Sequence, residues 1–274
     1  MNLCYLYLLS PLHTGGTTQE GNLLGIAREV HTDLPYVPSS TLRGRLRAST
    51  HKEQVKTLWG NDIDDVIKGG DSNLTQGALW VGDGAILWFP IPSLSHGVVW
   101  ISSPFLLKRW SRITGQTLAI PPVGSFSHHN NNQALYLKDA IIQPNQLHAW
   151  REWQNFRTAH PEATTIEKVL ILSDQDCSIL IQSSLWRQVK VKLSDKKNVD
   201  KKNVKNGFRY EEAIPPETLM YFPWGTTAAT KNGATPSATT QFQKLITDHS
   251  AIQIGGQESL GRGFCSVSLG GNHA

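Results

Sequence analysis

The sequence predicts one α+β domain, and three observations support this prediction. The chain has 274 residues, of which 39% are hydrophobic and nine are Trp, and this composition suffices for a buried core. Short strand-like and helix-like segments alternate along the chain, with long loops between them. A basic stretch within residues 186–214 is bounded by two strand-like segments, as in an extended β-hairpin.

The N-terminal segments predict a strand, a long loop and a helix, in that order. Residues 2–9 alternate weakly and are rich in Leu and Tyr, which favours a strand. Residues 11–37 show little periodicity, and a loop of that length inside a compact domain is often functional. A helix is predicted to begin near Pro38, with Ser39 or Ser40 as its N-cap.

The rest of the chain repeats an alternation of strands and helices. The predicted elements are two short strands within 77–91, a strand at 98–103, a helix at 103–114, a strand at 167–174, a short helix through 182 capped by Asp174, a helix at 239–250, and strands at 251–254 and 264–269. The order strand–helix–strand thus occurs twice, with long insertions. This order predicts a ferredoxin-like (RRM-like) core.

A basic hairpin is predicted between residues 186 and 214. Residues 186–193 alternate like a half-exposed strand, and residues 207–214 return as a second strand. From Arg187 to Arg209 the chain has nine Lys or Arg and two Asp, a net charge of +7, whereas the whole chain carries only +4. A local excess of positive charge on a nearly neutral protein indicates a polyanion-binding feature. The alternative is a solvated lysine-rich loop.

A glycine-rich loop, Gly255 to Gly263, joins the last two predicted strands. It matches neither the P-loop pattern nor the dinucleotide-binding pattern, and a strand rather than a helix follows it. Both nucleotide-binding loops need a helix N-terminus aimed at the phosphates, so neither is predicted here. Arg262 has the fork geometry that binds phosphate, while the alternative for the loop is a wide hairpin turn.

A second basic motif, SSTLRGRLR, occupies residues 39–47. It places three arginines in the first turns of a predicted helix, where both the helix N-terminus and arginine favour phosphate. Gly44 costs about 1 kcal/mol inside a helix relative to Ala, which a packing need or a close ligand would explain. The alternative is an amphipathic helix with a charged outer face.

Acid–base candidates are few, and the sequence contains no recognised catalytic or metal-binding spacing. His13, His31 and Asp33 lie in or beside the long loop, and Glu211 and Glu212 precede two prolines. None of them belongs to a paired Cys/His metal motif or a nucleophile motif. No cofactor is expected from these residues alone.

Cysteine usage and hydropathy point to a cytoplasmic protein. The three cysteines show no C-x-x-C spacing, which argues against a dense disulfide framework. No apolar run approaches the roughly 20 residues of a membrane span, and the start of the chain lacks a basic n-region. We therefore expect no membrane partner.

Several segments together resemble one family, the RAMP superfamily, and most closely the backbone subunit of the type III-B CRISPR (Cmr) effector complex. The matching segments are His13 with the glycines after it, and residues 28–47, 87–110, 169–181, 206–221 and 252–264. They follow the family order along nearly the whole chain. Each segment is weak alone, but the combination is specific.

This resemblance implies a ferredoxin-like palm with a projecting β-hairpin thumb. The palm would comprise about residues 1–60, 77–182 and 222–274, and the thumb about residues 183–221. The implied partners are a CRISPR guide RNA, its target RNA, copies of the same chain in a filament and other type III effector subunits. The implied RNA-binding residues are Ser39, Ser40, Arg43, Gly44, Arg45, Arg47, Lys190, Lys192, Gly255, Gly256 and Arg262.

The chain departs from the family where the family cleaves target RNA with an aspartate. Counting from Gly21 places Leu24 at that position, and counting back from Arg28 places Leu23 there. Because neither leucine binds metal or takes a proton, we expect cleavage to be weak or absent. The alternative is an active endoribonuclease in which His13, Asp33 or Glu211 acts with a divalent metal such as Mg²⁺. A processing endonuclease for precursor guide RNA is a third hypothesis.

Overall fold

The computed structural model describes residues 1–16, 19–20, 23–61, 75–130, 132–156, 158, 160–191, 208–227 and 235–270. They form a 12-stranded mixed sheet, a four-stranded sheet and α-helices. The strands are β1 (Asn2–Leu8), β2 (Gln19–Glu20), β3 (Leu23–Leu24), β4 (Leu79–Val81), β5 (Ala85–Ser93), β6 (Gly97–Ser102), β7 (Ser125–Phe126), β8 (Leu135–Leu137), β9 (Ala140–Ile142), β10 (His148–Ala149), β11 (Val169–Ile171), β12 (Trp186–Val191), β13 (Phe208–Ala213), β14 (Leu219–Thr226), β15 (Ala251–Gln253) and β16 (Phe264–Leu269). The helices are α1 (Ser39–Ala48), α2 (Lys52–Trp59), α3 (Pro104–Thr114), α4 (Asp174–Ser183) and α5 (Thr235–Asp248).

The large sheet is built around β1, which pairs antiparallel with β14 on one side and with β16 on the other. The path through the sheet is β10-β7-β11-β6-β5-β14-β1-β16-β15. Successive side chains of β1 enter two different cores, with Leu6 in one and Tyr5 in the other. Because both faces of β1 are covered, its sequence is a nearly continuous apolar run, which explains the weak alternation of residues 2–9.

Helices cover the sheet and supply much of the larger core. That core receives apolar side chains from α1, α2, α4 and α5, among them Leu42, Trp59, Leu180 and Phe242. The ring of Phe242 lies 4.1 Å from that of Trp224 on β14, measured between centroids. Full burial of such a side chain contributes roughly 1.5–3 kcal/mol to folding. These contacts hold α1 and α5 on the sheet.

The α+β class is confirmed by this architecture, and the structure adds elements that the sequence pattern concealed. Helix α2 was not predicted, since it has only eight residues and its two buried side chains, Leu58 and Trp59, both lie at its C-terminal end. The predicted loop 11–37 contains β2 and β3, which are too short to produce a pattern. The ferredoxin-like arrangement of the palm and the boundaries of palm and thumb remain predictions.

The N-cap of α1 differs from the prediction. Pro38 occupies the cap position with φ −57° and ψ 136°, and no side chain caps the helix. Ser39 and Ser40 therefore lie in its first turn. The Asp83 carboxylate accepts a hydrogen bond from the Ser39 amide at 2.6 Å, so it satisfies one amide that a capping side chain would otherwise satisfy.

The cap of α4 also differs from the prediction. Ser173, not Asp174, is the N-cap, and its hydroxyl accepts a hydrogen bond from the Asp176 amide at 3.0 Å. The Asp174 carboxylate instead accepts from the amide of Phe105 at 2.9 Å, at the start of α3. Asp174 thus joins two helix N-termini, which is favourable for an anionic side chain.

No helix among the described residues has the length and the apolar character that crossing a bilayer requires.

A buried histidine connects the loop before β11 to the central strands. The His160 ring is 2% exposed and stacks on Tyr7 of β1 with a centroid distance of 5.9 Å. Its Nδ1 accepts a hydrogen bond from the Glu162 amide at 3.1 Å, so Nε2 donates to the Ser266 carbonyl at 3.1 Å. Burial lowers the pKa of His160 below its ordinary value, although the Ser266 carbonyl and Glu162 raise it in part. The ring is therefore held neutral.

His160 is expected to make folding stability depend on mildly acidic pH. Its folded-state pKa is lowered, so the unfolded chain takes up the proton first. Stability is then fully present above the ordinary histidine pKa of about 6.5 and is lost as the pH falls below it. Thermal melts at pH 7.5 and pH 5.5 would measure this loss. In His160→Gln, which cannot titrate, the difference between the two melting temperatures should shrink, and an unchanged difference would contradict this assignment.

Candidate nucleic-acid interface

The base of the predicted thumb is the four-stranded sheet, in the order β12-β13-β3-β2. Strands β12 and β13 pair antiparallel from Trp186 with Ala213 to Val191 with Phe208. Strand β13 also pairs parallel with β3. We call residues 186–191, 208–213 and 23–24 the thumb base. The predicted hairpin tip, with the RNA-binding candidate Lys192, lies outside the described residues.

The thumb base has an apolar face and a charged face, because directly paired residues share a face of a sheet. On one face Val189 pairs with Tyr210 and Val191 with Phe208, and all four side chains are exposed. On the other face Gln188 pairs with Glu211 and Lys190 with Arg209. The first face is apolar toward the tip of the hairpin, and nearer the body of the protein it also contains the pair of Arg187 with Glu212.

Glu211 is the centre of the charged face. Its side chain is fully buried and contacts three cations: Lys190 Nζ at 2.5 Å, Arg209 Nε at 2.9 Å and Arg262 Nη2 at 3.9 Å. Burial acts to raise the pKa of Glu211, but the hydrogen bond and charge of Lys190, the charge of Arg209 and a bond with Gln257 outweigh it and lower the pKa. Glu211 is thus an ionised carboxylate that its cationic partners hold in place.

Glu212 forms a second cluster on the opposite face of β13. Its carboxylate is 2% exposed and contacts Arg28 Nη2 and Arg187 Nε, each at 3.0 Å. The Arg28 guanidinium also donates to Gln182 at the end of α4. Glu212 therefore ties the loop before α1 to the hairpin and, through Arg28, to α4.

The glycine-rich loop packs directly against the segment around His13. The Gly256 amide donates to the His13 carbonyl at 3.0 Å. A Cβ at Gly255 would lie 2.3 Å from that same carbonyl oxygen, and one at Gly263 would lie 1.9 Å from the Ile254 carbonyl. Both glycines also have positive φ, at 78° and 77°. Close main-chain packing and backbone conformation account for these two glycines without a ligand.

His13, a predicted catalytic residue, and Arg262, a predicted RNA-binding residue, contact the thumb base at this loop. His13 is buried, and its Nδ1 donates to the Glu212 carbonyl at 2.8 Å, which sets its tautomer because a carbonyl only accepts. Arg262 is 5% exposed and donates from Nη2 to the Gln188 side chain at 2.5 Å. The structure thus brings His13, Arg262 and Glu211 to one junction of loop and hairpin.

The arginines of α1 point in different directions. Arg43 and Arg47, four residues apart, donate to the carbonyls of Trp59 and Gly60, the latter at 2.6 Å. They thereby satisfy carbonyls at the C-terminus of α2, where cations are favoured. Arg43 remains exposed, as does Gly44, next to which no heavy atom lies within 4 Å of an added Cβ. Arg45 lies on a different side of the helix, with a buried Nε that has no hydrogen-bond partner.

The resemblance places the family's cleaving acid at Leu23 or Leu24, and these two residues form β3 beside β13. In the sheet register Leu24 pairs with Glu211, and Leu23 pairs with Tyr210. The side chain of Asp33 is 71% exposed and lies 3.9 Å from Arg28, at a position with φ 58°. Among the described residues no group of three or more His, Cys, Asp or Glu is placed to hold a metal ion.

Sequence reasoning missed three arginines that the structure places at the thumb base: Arg28, Arg187 and Arg209. The contact of Arg209 with Glu211 could have been predicted, because the two residues are two apart on a strand and so share a face. The contact of Arg28 with Glu212 carried no signal, since it depends on packing between distant segments, whereas that of Arg187 with Glu212 depends on the register of the hairpin.

The comparisons with known proteins agree with this geometry. The RAMP superfamily matches residues 5–266, so the chain belongs to the RAMP superfamily. It is 26% identical to the CRISPR system Cmr endoribonuclease Cmr4 of Pyrococcus furiosus, over 98% of this chain and 97% of that protein. The resemblance to the backbone subunit of the Cmr complex is thereby confirmed.

Solved structures share the fold over nearly the whole chain. The crystal structure of oligomeric Cmr4 from Pyrococcus furiosus superposes with a TM-score of 0.70 at 23% identity, covering 98% of this chain and 97% of that one. A chain of the type III-B Cmr-beta complex bound to cognate target RNA gives a TM-score of 0.74 at 16% identity, covering 98% and 96%. At these identities the likeness establishes the fold.

Removal of the Glu211 charge is expected to destabilise the protein. In Glu211→Gln, Lys190 and Arg262 would keep their charges in poorly hydrated surroundings and lose their carboxylate, at a cost of about 3 kcal/mol. Chemical denaturation followed by Trp fluorescence would measure the free energy of unfolding. Glu167→Gln, at an exposed glutamate just before β11, is the control and should change stability by about 0.5 kcal/mol at most. Equal stability of the two variants would contradict a structural role for Glu211.

Proposed function

We propose that this chain is a guide-RNA-binding backbone subunit of a type III CRISPR RNA-targeting complex. It would act in the cytoplasm, with copies of itself along the guide and with other effector subunits. Membership of the RAMP superfamily and the similarity to Cmr4 support this proposal. The ferredoxin-like palm and the thumb boundaries belong to the same proposal.

The uneven charge of the chain is the observation that carries the proposal. The hairpin from Arg187 to Arg209 has a net charge of +7, so the other residues sum to −3. Such a feature attracts the phosphate backbone of any RNA and releases counterions when it binds. Because phosphates carry no sequence information, binding would depend little on the guide sequence. This is the behaviour that a backbone subunit needs.

Arg43 and Arg45 of α1 are the proposed phosphate contacts on the palm. Arg43 uses Nη2 on the Trp59 carbonyl, while its side chain remains exposed and its other nitrogens offer further donors. Arg45 has a buried Nε without a hydrogen-bond partner. Ser39, Ser40, Arg47 and the amides of the glycine loop remain weaker proposals, because several of their donors already have protein partners.

We infer that this subunit does not cleave target RNA. The two positions that align with the family's acid are Leu23 and Leu24, and neither takes a proton. Glu211, beside Leu24 in the sheet, is fully buried among three cations and cannot approach a substrate. His13 is buried and donates to the Glu212 carbonyl. The alternative, an active endoribonuclease, rests on the similarity to the Cmr endoribonuclease Cmr4 and on the exposed carboxylate of Asp33.

RNA affinity should fall steeply with salt, and the two palm arginines should contribute to that slope. Arg43→Ala and Arg45→Ala are each expected to reduce the slope of log K against log salt by about 0.7–1, since each removes one phosphate contact. Filter binding of two RNAs of unrelated sequence between 50 and 200 mM salt would measure it. Arg151→Ala, an exposed arginine outside the proposed interface, should leave the slope unchanged. A flat salt dependence of the wild type would refute the proposal.

Target cleavage is tested in the assembled complex. Labelled RNA complementary to the guide, incubated with the complex and Mg²⁺, should yield no products at a regular interval. Asp33→Ala should behave like the wild type, and a non-complementary RNA provides the background. A ladder at fixed spacing in the wild type that disappears in Asp33→Ala would instead establish the endoribonuclease.

A further inference from the structure

The thumb base contains more positive charge than its buried carboxylates neutralise. Glu211 contacts three cationic side chains and Glu212 contacts two. In the part of the chain that the structure describes, the one further carboxylate in contact with them is that of Asp33, 3.9 Å from Arg28. Among the described residues this leaves an excess of two positive charges, and the excess lies on the face of Glu211, since Glu212 and Asp33 balance Arg28 and Arg187. Such an excess on an exposed hairpin favours an anionic ligand.

Two of these cations differ from the others in exposure. The side chain of Arg209 is 60% exposed and that of Arg187 is 53% exposed, whereas Arg262 is 6% exposed. Arg209 donates from Nε to Glu211 at 2.9 Å, and Arg187 donates from Nε to Glu212 at 3.0 Å. A guanidinium that is held through Nε still has its outer nitrogens as donors. For Arg187 the further contact is a long one, 3.5 Å from Nη2 to the Gln182 carbonyl.

The two arginines lie on opposite faces of the hairpin. Arg187 pairs with Glu212 in the register, and Arg209 pairs with Lys190 two positions beyond the Glu211 pair. Residues 187 and 209 therefore belong to the apolar face and the charged face, respectively. Each arginine is anchored by the buried carboxylate of its own face. A ribbon with one oriented guanidinium on each face can contact a polyanion on both sides.

We propose that Arg187 and Arg209 each bind one RNA phosphate, and that Glu212 and Glu211 are the positioning residues that orient them. The ligand class is the ribose-phosphate backbone, so this inference rests on the proposed function and deepens it. A carboxylate that accepts a hydrogen bond from Nε restricts the rotation of the guanidinium and leaves the outer nitrogens available as donors. This arrangement suits bidentate phosphate binding, which lysine does not reproduce. Arg262, buried against the same Glu211, holds the glycine loop to the hairpin.

The test compares an exposed arginine with a buried one that shares its carboxylate. RNA binding by the assembled, guide-loaded complex would be measured with a complementary single-stranded RNA at several salt concentrations. Arg209→Ala and Arg187→Ala are each expected to weaken binding about tenfold and to reduce the salt slope by about 0.7–1. Arg209→Lys should keep the slope yet bind more weakly than the wild type, because it keeps the charge and loses the fork.

Arg262→Met is the matched control, since it removes a buried cation from the same carboxylate. It should lower the melting temperature while leaving the salt slope unchanged. Unchanged slopes in both Arg187→Ala and Arg209→Ala would overturn this inference, and a wild type with a steep slope would show that the proposed function survives. A flat wild-type slope would instead overturn the proposed function itself.

The positioning role of Glu211 has a separate readout. Glu211→Gln should weaken RNA binding about as much as Arg209→Ala, and the double variant should be no weaker than either single variant. Binding would be measured at a temperature where melts show every variant folded. Additive losses in the double variant would overturn the positioning role, because an independent structural defect adds to the loss of a contact.

Discussion

The structure depends on the burial of two consecutive carboxylates, Glu211 and Glu212. Successive residues of a strand face opposite ways, so the two charges cannot share partners. An isolated buried carboxylate is very costly, and each one must therefore assemble its own cations. Arg28 and Arg262 reach this point from the loop before α1 and from the glycine loop, far apart in the chain. The hairpin is thereby joined to the rest of the protein by charge pairs rather than by apolar packing alone.

This constraint changes the interpretation of the glycine-rich loop. Its composition suggests a phosphate cradle, yet Gly255 and Gly263 are required by the close carbonyls of His13 and Ile254. Arg262 extends into the protein toward Glu211 and Gln188. The loop acts as a joint between the N-terminal segment and the hairpin. Proposed phosphate contacts consequently shift from the loop to exposed arginines that buried acids orient.

The same junction bears on the question of cleavage. An aspartate beside β13 would have cations within reach and a position next to the hairpin, and this chain has two leucines there. The neighbouring Glu211 does not compensate, since its charge is neutralised by three partners. A carboxylate that stabilises the fold in this way is poorly suited to accept a proton from RNA.

Local pattern was enough to predict the α+β class, the basic hairpin, most helices and strands and the family, because periodicity, charge runs and motif order are properties of neighbouring residues. Helix α2 and the strands β2 and β3 were not predicted, since α2 has only eight residues and each of the two strands has two. The N-caps of α1 and α4 are Pro38 and Ser173 and not the residues that were predicted. The choice between adjacent residues depends on the surrounding backbone. The pairing of Glu212 with Arg28 and of Glu211 with Arg262 was decided by tertiary structure alone. Electrostatic partners of a buried charge are selected by distance in space, which sequence separation does not encode.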